Sequence, residues 1–435
     1  MHRRGLKVGR QVLRGSRREA LLAGLGAVGW LTVAAREPTP CTARAVATAE
    51  PMRQLHAGGP SGLLGTGFSG GLWALSLTGQ APRPLADGLD PATPLASGHG
   101  RIAARMAGGG LWVWEDGRVR TSMSAGLAVH AGLLILPLAV VGVVGVVSVM
   151  EGQTGSSRRT DPPSHRIARF EPDGAGRWRE VARSQDAVLP DARPLQVDLD
   201  GGGDGGHIAV LAGPDASRYD HGVLGDGIEA TRVLWLERHG LDVLRSLTLP
   251  APHVFEDIAL RPVALPGTPA RLGLLSVRAG PDGGQLVLVT ADPARKPGLQ
   301  IAAIGDTVGG FHRWLAPTTD GRQMLAVHTP HIGGVLHVYQ LTDQRDGQQL
   351  TRRRLMNDVS THRIGSRELD LSVWLRGLLV LPSQDGRRLR VLNPAANWAE
   401  QQSVPLPARV GMAIALADGL GMVVLADEGQ VWAVR

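Results

Sequence analysis

Several residue types that carry chemistry are scarce in this sequence. Its 435 residues include one cysteine, Cys41, and two lysines, Lys7 and Lys296. A single cysteine excludes an internal disulfide, so stability has to come from a hydrophobic core, which a chain of this length can build. The sequence also lacks a His-Glu-x-x-His motif and a glycine-rich phosphate loop ahead of a helix. The usual signatures of a zinc protease and of a nucleotide-binding enzyme are therefore missing.

Aromatic residues make up only 4% of the chain, although ten of them are tryptophan. Glycine, by contrast, occurs 59 times and proline 29 times. Both residues favour tight turns and weaken helix interiors. The composition therefore predicts many short strands joined by turns rather than a helical bundle.

The net charge of +7 is carried almost wholly by arginine, and part of the excess lies in the first eighteen residues. Beyond them, acidic and basic residues are interspersed, and no basic stripe alternates with aromatic residues. A mixed, solvated surface of this kind does not indicate a nucleic-acid partner.

The N-terminus has the pattern of an export signal. Residues 16–35 consist of a basic run followed by uncharged, mostly apolar residues. Ala47 and Ala49 then stand at the −3 and −1 positions of a cleavage site. We therefore predict a signal peptide over residues 1–49 and a periplasmic or secreted mature protein. Cuts after Ala43, Ala45 or Ala47, and an uncleaved anchor, are the alternatives.

The opening of this signal, Ser16-Arg17-Arg18 with Leu21 and Leu22, resembles a twin-arginine export signal. Ala20 stands where that signal prefers phenylalanine. The resemblance implies export by the twin-arginine route.

Short apolar strands recur along the rest of the chain, each followed by a turn and a second strand of the form Leu-x-Val. They are predicted to begin near residues 101, 126, 195, 258, 313, 369 and 412. Two more polar strands usually follow, as in 336–355. Polarity that rises from the first strand to the fourth is typical of radial sheets, whose inner strands are buried on both faces. The pattern predicts an all-β fold, a β-propeller of four-stranded blades.

Seven such starts predict seven blades, with six or eight left open because the unit near 101 lacks a strand. The last unit has only three strands before Arg435. We predict that the N-terminal segment 71–79 supplies its outer strand and so closes the ring. The expected organisation is thus a segment over 50–100 that contributes this strand, followed by the propeller over 101–435.

The stretch "VDLDGGGDGGHIAV", residues 197–210, resembles the aspartate-rich hairpin loop of FG-GAP/VCBS-type propeller repeats. The resemblance implies a structural Ca²⁺ held by Asp198, Asp200 and Asp204, since hard oxygen ligands on a glycine-rich loop suit this ion. Gly202 occupies the third acidic position of the family pattern, and Asp204 is displaced by two residues. The alternative is a β-turn whose carboxylates cap backbone N–H groups.

The loops before the first strands and between the second and third strands should emerge on one face of the ring. They carry most histidines that have acidic neighbours. Such a set can bind a transition metal, act in acid–base chemistry or hold an anionic or sugar-like ligand with arginine. The candidate residues are His221, His253, Glu256, Asp257, His312, Arg313, His328, His331, His362 and Arg363.

Two functions are compatible with this face. The first is an exported cell-envelope binding or scaffold module that recognises a protein, a glycan or a small ligand. The second is an exported metal-assisted hydrolase or lyase with histidines of the same face as ligands or bases. The enzyme hypothesis requires three or more histidine rings within bonding reach of one point.

The run "AGLLILPLAVVGVVGVVSVM", residues 131–150, contains no charged residue and could span a bilayer as a helix. Its first half matches 376–382, however, and its second half is dense in valine with Gly142 and Gly145. We therefore predict a buried second strand over 133–136 and no transmembrane helix in the mature chain. The following residues, 138–164, are predicted to form an apolar insertion.

Overall fold

The computed structural model describes residues 41–57, 62–115, 117–122, 126–137, 144–153, 164–175, 177–202, 206–266, 271–291, 298–345, 347–369, 371–415 and 421–435. Residues 1–40 of the predicted signal peptide, Asp204 and the whole segment 154–163 lie outside these ranges.

The described residues form strands grouped in seven sheets, together with two single turns of 3₁₀ helix at Gly222–Leu224 and Pro394–Ala396. Six sheets have four strands each, and the seventh has nine. The nine-stranded sheet contains two four-stranded units bridged by a two-residue strand. The described chain thus folds into eight four-stranded units, which we number 1 to 8.

The first four units follow one another along the chain. They are unit 1 (β2 Met52–Ala57, β3 Leu63–Gly67, β4 Leu72–Leu75, β5 Arg83–Ala86), unit 2 (β6 Ala96–Gly98, β7 Arg101–Arg105, β8 Leu111–Glu115, β9 Arg118–Ser122), unit 3 (β10 Leu133–Pro137, β11 Val144–Gln153, β12 Ser164–Pro172, β13 Trp178–Arg183) and unit 4 (β14 Leu195–Val197, β15 His207–Asp215, β16 Glu229–Leu236, β17 Val243–Thr248).

The remaining units are unit 5 (β19 Arg261–Leu265, β20 Arg271–Ala279, β21 Gln285–Ala291, β22 Leu299–Ile304), unit 6 (β23 Leu315–Thr319, β24 Met324–His328, β25 Val335–Gln344, β26 Gly347–Asn357), unit 7 (β27 Val373–Leu375, β28 Leu378–Pro382, β29 Arg388–Asn393, β30 Ala399–Pro405) and unit 8 (β31 Val410–Ala415, β32 Met422–Ala426, β33 Val431–Val434, β1 Ala43–Val46). The bridging strand β18, Val254–Phe255, pairs with β16 and with β20.

Consecutive strands within each unit are antiparallel, so side chains alternate between the two faces of the sheet. The second strands are the most buried, because neighbouring units cover both of their faces. All five residues of β24 and of β32 are buried, whereas the fourth strand β30 exposes most of its residues. Polarity therefore rises towards the outer strand, as the sequence predicts for radial sheets.

Apolar side chains pack between successive units. The largest continuous core extends from unit 3 to unit 6 and includes Val147, Ile208, Leu274 and Ala326. Smaller clusters join units 1 and 2 and units 6 and 7. One cluster unites unit 8 with unit 1 through residues such as Leu55 and Leu425, so the first and last units pack together. This arrangement of four-stranded units is a β-propeller, as the sequence predicts.

The outer strand of unit 8 comes from a different segment than predicted. Leu72–Leu75 is the third strand of unit 1, while Ala43–Val46 pairs with β33 from Ala43 opposite Val434 to Val46 opposite Val431. The prediction for 71–79 was wrong because residues 43–46 had been assigned to the signal peptide. Residues 52–86 then form a unit of their own, which explains eight units rather than seven.

The apolar run 131–150 also differs in strand order. Leu133–Pro137 is the first strand of unit 3, not the second, and Val144–Gln153 is its second strand. Within the expected insertion, residues 144–153 therefore form a strand of the sheet. The valines of this strand are buried on both of its faces. Residues 138–143 lie outside the described part. No helix among the described residues is long and apolar enough to cross a membrane.

Candidate functional site

We define the upper face as the end of the ring that carries two kinds of loop: those before each first strand and those between each second and third strand. In an antiparallel four-stranded unit these loops lie at the same end of the sheet. Nine of the candidate residues lie in such loops, and His328 is the last residue of β24, at the same end. The structure then divides these residues among several separate clusters.

The best-buried cluster centres on Glu256, which follows β18. Its side chain is 0% exposed, and Oε1 is hydrogen-bonded to Nδ1 of His221. Oε2 has no hydrogen-bond partner among the described atoms. Burial raises the pKa of Glu256, and the neighbouring His221 opposes this rise. A buried carboxyl with one unpaired oxygen favours its protonated form.

A second buried carboxyl, Glu229 at the start of β16, lies near Glu256. Burial and then the charge of Glu256 raise the pKa of Glu229 well above its ordinary value. Two carboxyl groups that share a dry site cannot both ionise readily, so this pair retains protons at a pH where exposed glutamates are ionised.

An aromatic group covers the outer side of His221. The His221 and His312 rings stack with centroids 4.7 Å apart and planes 6° apart. Phe311 stacks on His312 at 3.8 Å, and Tyr219 meets both His312 and Phe311 edge-on. The Tyr219 hydroxyl accepts the backbone N–H of His312 at 3.2 Å. The loop before β23 is thus fixed against the loop between β15 and β16.

His331 and His362 form a second pair. Nε2 of His331 lies 3.0 Å from Nδ1 of His362, whose Nε2 lies 2.8 Å from the carbonyl oxygen of Ser366. Because a carbonyl only accepts, Nε2 of His362 carries a proton, and Nδ1 then accepts from His331. Burial lowers the pKa of His331 to about 4 and that of His362 to about 3. Both rings are therefore neutral near pH 7.

Trp314, the residue before β23, connects the two pairs. Its ring is parallel to that of His331 at 6.1 Å and meets His362 at 4.7 Å. Its Nε1 donates to the carbonyl oxygen of Glu256 at 3.0 Å. Trp314 is not among the candidate residues predicted from the sequence. The signal for its role is its place directly after the candidates His312 and Arg313.

The remaining histidine candidates have structural partners. Nδ1 of His328 accepts from Arg352 at 3.3 Å, and Nε2 lies 2.5 Å from the Tyr339 hydroxyl. Burial lowers the pKa of His328 to about 3. Nε2 of His253 accepts from Arg278 at 2.7 Å. Neither ring belongs to the clusters around Glu256 and Trp314.

Asp257, Arg313 and Arg363 also have local roles. Asp257 is fully buried, pairs with Arg261 at 2.7 Å and accepts the backbone N–H of Ile258 at 3.0 Å. Arg313 is exposed, and Arg363 forms an ion pair with Asp427. Buried Asp257 thus secures the loop that enters β19.

The histidines pair two by two instead of surrounding one point. Within the described ranges, no group of three or more histidine, cysteine, aspartate or glutamate residues is placed to hold a metal ion. Because the metal-assisted enzyme requires such a convergence, the described geometry gives that hypothesis no support.

The predicted calcium loop lies on the face opposite the upper face, between β14 and β15. Oδ1 of Asp198 accepts the backbone N–H of Gly201 at 2.7 Å and that of Gly202 at 3.3 Å. Asp200 pairs with Arg245 at 3.2 Å. This geometry matches the alternative of carboxylates that cap a turn, while Asp204 lies outside the described residues, so Ca²⁺ stays a prediction.

A glycine–serine turn between β3 and β4 has the spacing Gly67-x-Ser69-x-Gly71, which also occurs around nucleophilic serines. Here it joins two antiparallel strands, and the Ser69 hydroxyl donates to Glu50 at 2.6 Å. Trp73 donates to the same carboxylate at 3.1 Å. The serine is therefore part of a turn closed by Glu50, and no histidine activates it among its described partners.

Near the centre of the upper face lies a cavity of about 150 Å³. Loops of units 1, 2, 3, 4, 7 and 8 contribute to it. Its lining includes four arginines and two acidic residues: Arg53, Arg193, Arg363, Arg367, Glu368 and Asp427. This arginine group was not predicted as a set, because its members come from three separate regions of the sequence.

Large apolar side chains are exposed mainly on the upper face. Seven such residues occur among those described: Phe68, Val119, Val129, Val243, Phe311, Ile332 and Ile364. Five of them lie in upper-face loops, while Val119 and Val243 lie on outer strands. The upper face therefore combines neutral histidines, aromatic rings and exposed aliphatic side chains.

Comparisons with known proteins give no family for this chain. Solved structures that are similar to this chain are β-propellers. The Cps50 (Swd1) β-propeller domain of Myceliophteria thermophila is 10% identical, with 91% of this chain and 99% of that chain covered and a TM-score of 0.47. The Dos1 propeller is 12% identical, with 91% and 94% covered and a TM-score of 0.46. Saccharomyces cerevisiae Sqt1 is 10% identical, with 90% and 97% covered and a TM-score of 0.49.

No protein-family model and no curated protein matches the sequence. The function has to be inferred from the upper face itself.

Proposed function

We propose that this protein is a binding module whose upper face docks a protein partner. The observation that carries the proposal is the concentration of exposed apolar side chains there. Ile364 is 72% exposed, Ile332 66% and Phe311 56%. Large apolar side chains exposed on one face are costly in water and occur at protein-binding sites. A glycan or a small polar ligand would leave these side chains in contact with water.

The electrostatics of the same loops support a protein partner. Burial keeps His331 and His362 neutral near pH 7, and burial and neighbouring His221 lower the pKa of His312. The histidines beside Phe311 and Ile332 therefore carry little charge that binding would have to desolvate. A rigid ring with loops fixed by stacked rings also loses little conformational freedom on binding.

The test compares single aspartate substitutions on two parts of the ring. Immobilised wild-type protein and variants are exposed to an extract of the cells that encode this chain, and the bound proteins are compared. We expect Phe311→Asp, Ile332→Asp and Ile364→Asp to lose a partner that the wild type retains. Val119→Asp and Val243→Asp, on outer strands, are the matched controls and should retain it.

Melting temperatures of all five variants establish that each is folded. Equal loss of the partner in the upper-face and outer-strand variants would contradict the proposal. So would retention of every wild-type partner by the three upper-face variants.

We also propose that the chain is exported and that its leader is cut before Thr42. The support is the basic and apolar pattern of residues 16–35 together with the pairing of β1. A cut after Ala49 would remove Ala43–Val46, the outer strand of unit 8. Export and twin-arginine dependence can be tested by fractionation of cells and by N-terminal sequencing of the exported protein. A mature N-terminus at Glu50 would contradict the proposed cleavage site.

The likeness of residues 197–210 to FG-GAP/VCBS repeats remains a proposal, supported by one loop and the four-stranded units. On this basis we propose a structural Ca²⁺ on the face opposite the docking surface. Calcium titration followed by the melting temperature tests it, with Asp198→Asn as the variant that should abolish any calcium effect.

A further inference from the structure

We infer that the central cavity of the upper face binds a carboxylate, supplied by an acidic residue or the chain end of the docked partner. The inference deepens the proposed function and rests on it for the source of the ligand. The cavity itself is argued from its own charges and size.

Arginine surrounds the cavity on several sides. Arg53 belongs to β2, Arg193 to the loop before β14, and Arg363 and Arg367 to the loop before β27. Guanidinium groups present planar, forked donors that match a carboxylate with two parallel hydrogen bonds. Four such groups around one small cavity therefore indicate an anionic ligand.

The internal ion pairs determine which arginine charge is already balanced. Arg367 donates to Asp191 at 2.7 Å and to Asp226 at 2.5 Å, so two carboxylates fix its guanidinium. Burial and then the charge of Asp226 raise the pKa of Asp191, while the Arg367 guanidinium opposes this rise. Arg367 is thus part of the wall of the cavity rather than a donor for a ligand.

The ion pairs leave little excess charge around the cavity. Four arginines of the lining stand against four carboxylates among the described residues: Glu368 and Asp427 in the lining, and Asp191 and Asp226 as partners of Arg367. This set offers no large positive excess that would balance a phosphate dianion. A singly charged carboxylate therefore fits the site better than a phosphate group.

Arg53 is the arginine best placed to receive the ligand. Its side chain is exposed and forms no ion pair with any residue that the structure describes. Arg363 is 36% exposed and pairs with Asp427, whose side chain is 25% exposed. Since that pair is solvated, an incoming carboxylate can share the Arg363 guanidinium without opening the core.

The size and the rim of the cavity agree with this ligand. Its volume of about 150 Å³ corresponds to a few water molecules, at about 30 Å³ each. This space suits the end of one side chain and excludes a large cofactor. Phe68, 53% exposed, lies in the lining, and Ile364 directly follows Arg363. A partner that covers these apolar side chains would bring its own carboxylate to the arginines.

The test uses small blocked amino acids and ligand-observed NMR titration of the intact protein. The probes are N-acetylglutamate methylamide, N-acetylleucine, neutral N-acetylglutamine methylamide and inorganic phosphate. We expect one or both carboxylates to bind with a dissociation constant on the order of millimolar, and the neutral amide to bind far more weakly. Preference for acetylglutamate indicates a side-chain carboxylate, and preference for acetylleucine indicates a chain end.

Matched variants locate the binding. Arg53→Gln should weaken carboxylate binding at least about fivefold, because one charge-assisted hydrogen-bonding group is lost. Arg322→Gln, an exposed arginine in the turn between β23 and β24 on the opposite face, should leave it unchanged. Equal binding of the neutral amide, tighter binding of phosphate, or equal effects of the two substitutions would overturn the inference.

The two proposals fail separately. If aspartate at Phe311 or Ile364 abolishes partner binding while no carboxylate binds, the docking surface stands and the cavity assignment is wrong. If carboxylates bind at Arg53 but partner capture is insensitive to every upper-face substitution, the cavity stands and the docking proposal is wrong.

Discussion

Units 4 to 6 and the junction of units 8 and 1 are built differently. Units 4 and 5 share one nine-stranded sheet through β18, and units 3 to 6 share the largest apolar core. The junction has a smaller cluster around Leu55 and Leu425, and unit 8 is completed by a strand from the other end of the chain. The first region is held by continuous pairing and core, the second by the meeting of two chain ends.

Buried ionisable groups also separate the two regions. Glu229, Glu256, Asp257 and His328 are all buried in units 4 to 6, and His362 is buried beside them. In the described parts of units 8 and 1, no charged side chain is buried. The continuous region can hold costly charged groups because it has a large core to offset them, and the described part of the junction has no buried charged group.

The largest expected effect comes from removal of β1. A chain that begins at Ala47 loses four paired residues, including buried Val46, and exposes the edge of β33. We expect a loss in the free energy of unfolding of about 4 kcal/mol relative to a chain that begins at Cys41. Urea denaturation of both chains measures it, and equal stability would show that unit 8 is complete without β1.

The second effect is the dependence of stability on pH in the region of buried histidines. The pKa values of His328 and His362 are lowered to about 3 and that of His331 to about 4, so these rings are neutral when folded and become charged when unfolded below about pH 6.5. Their contribution to the free energy of unfolding is complete above pH 6.5. It is lost as the pH falls towards 4 for His331 and towards 3 for His328 and His362. Each histidine gives a slope of about 1.4 kcal/mol per pH unit in this interval.

The raised pKa values of Glu229 and Glu256 make the free energy of unfolding fall as the pH rises, opposite to the histidines. Replacement of a single histidine therefore isolates the contribution of that ring to the pH dependence. His362→Gln should reduce the acid-side slope by about 1.4 kcal/mol per pH unit. Exposed His239→Gln is the control and should leave it as in the wild type. An unchanged slope in His362→Gln would mean that this ring is protonated in the folded protein.

The third effect compares two tryptophans. Trp314→Phe removes the hydrogen bond from Nε1 to the carbonyl oxygen of Glu256 and leaves that buried acceptor unpaired. Trp432, on β33, has no hydrogen-bond partner for Nε1 among the described atoms. We therefore expect Trp314→Phe to cost about 1 kcal/mol more in unfolding free energy than Trp432→Phe. Thermal denaturation of both variants provides the comparison, which equal costs would refute.

The smallest effect concerns the face opposite the docking surface. Asp200→Asn removes an ion pair with Arg245 in which the aspartate is 39% exposed. Exposed pairs of this kind contribute little, so we expect a loss below about 1 kcal/mol. A loss of several kcal/mol in the presence of calcium, absent with a chelator, would instead show that Asp200 holds the ion.

The strand pattern and the rise of polarity from inner to outer strands made the propeller predictable. The strand order in the run 131–150 could not be predicted from the sequence. Two adjacent apolar strands have the same residue pattern whether they are the first and second or the second and third strands of a unit. Ala43–Val46 was missed because a short alanine-rich segment after a leader has no local signal for its distant partner, Val431–Val434.

The upper face could be predicted as a set of loops, but not its internal pairing. Loop position places His221, His312, His331 and His362 at one end of the sheets. Stacking of His221 on His312, and the choice of Glu256 rather than a metal as the partner of His221, depend on the conformation of loops between different units. The same limit applies to Arg53 of unit 1 and Arg363 before unit 7, which line one cavity although they are far apart in the sequence.

The pairing of chain ends has a consequence for the order of events during synthesis. Thr42 and Arg435 exchange hydrogen bonds at 2.8 Å and 3.2 Å, so the outer strand of unit 8 is made first and finds its place last. Closure of such a long loop has an entropic cost that rises slowly with its length, and distant pairings slow folding. Until Val431–Val434 leave the ribosome, β1 has no native partner and is open to chaperones or to mispairing.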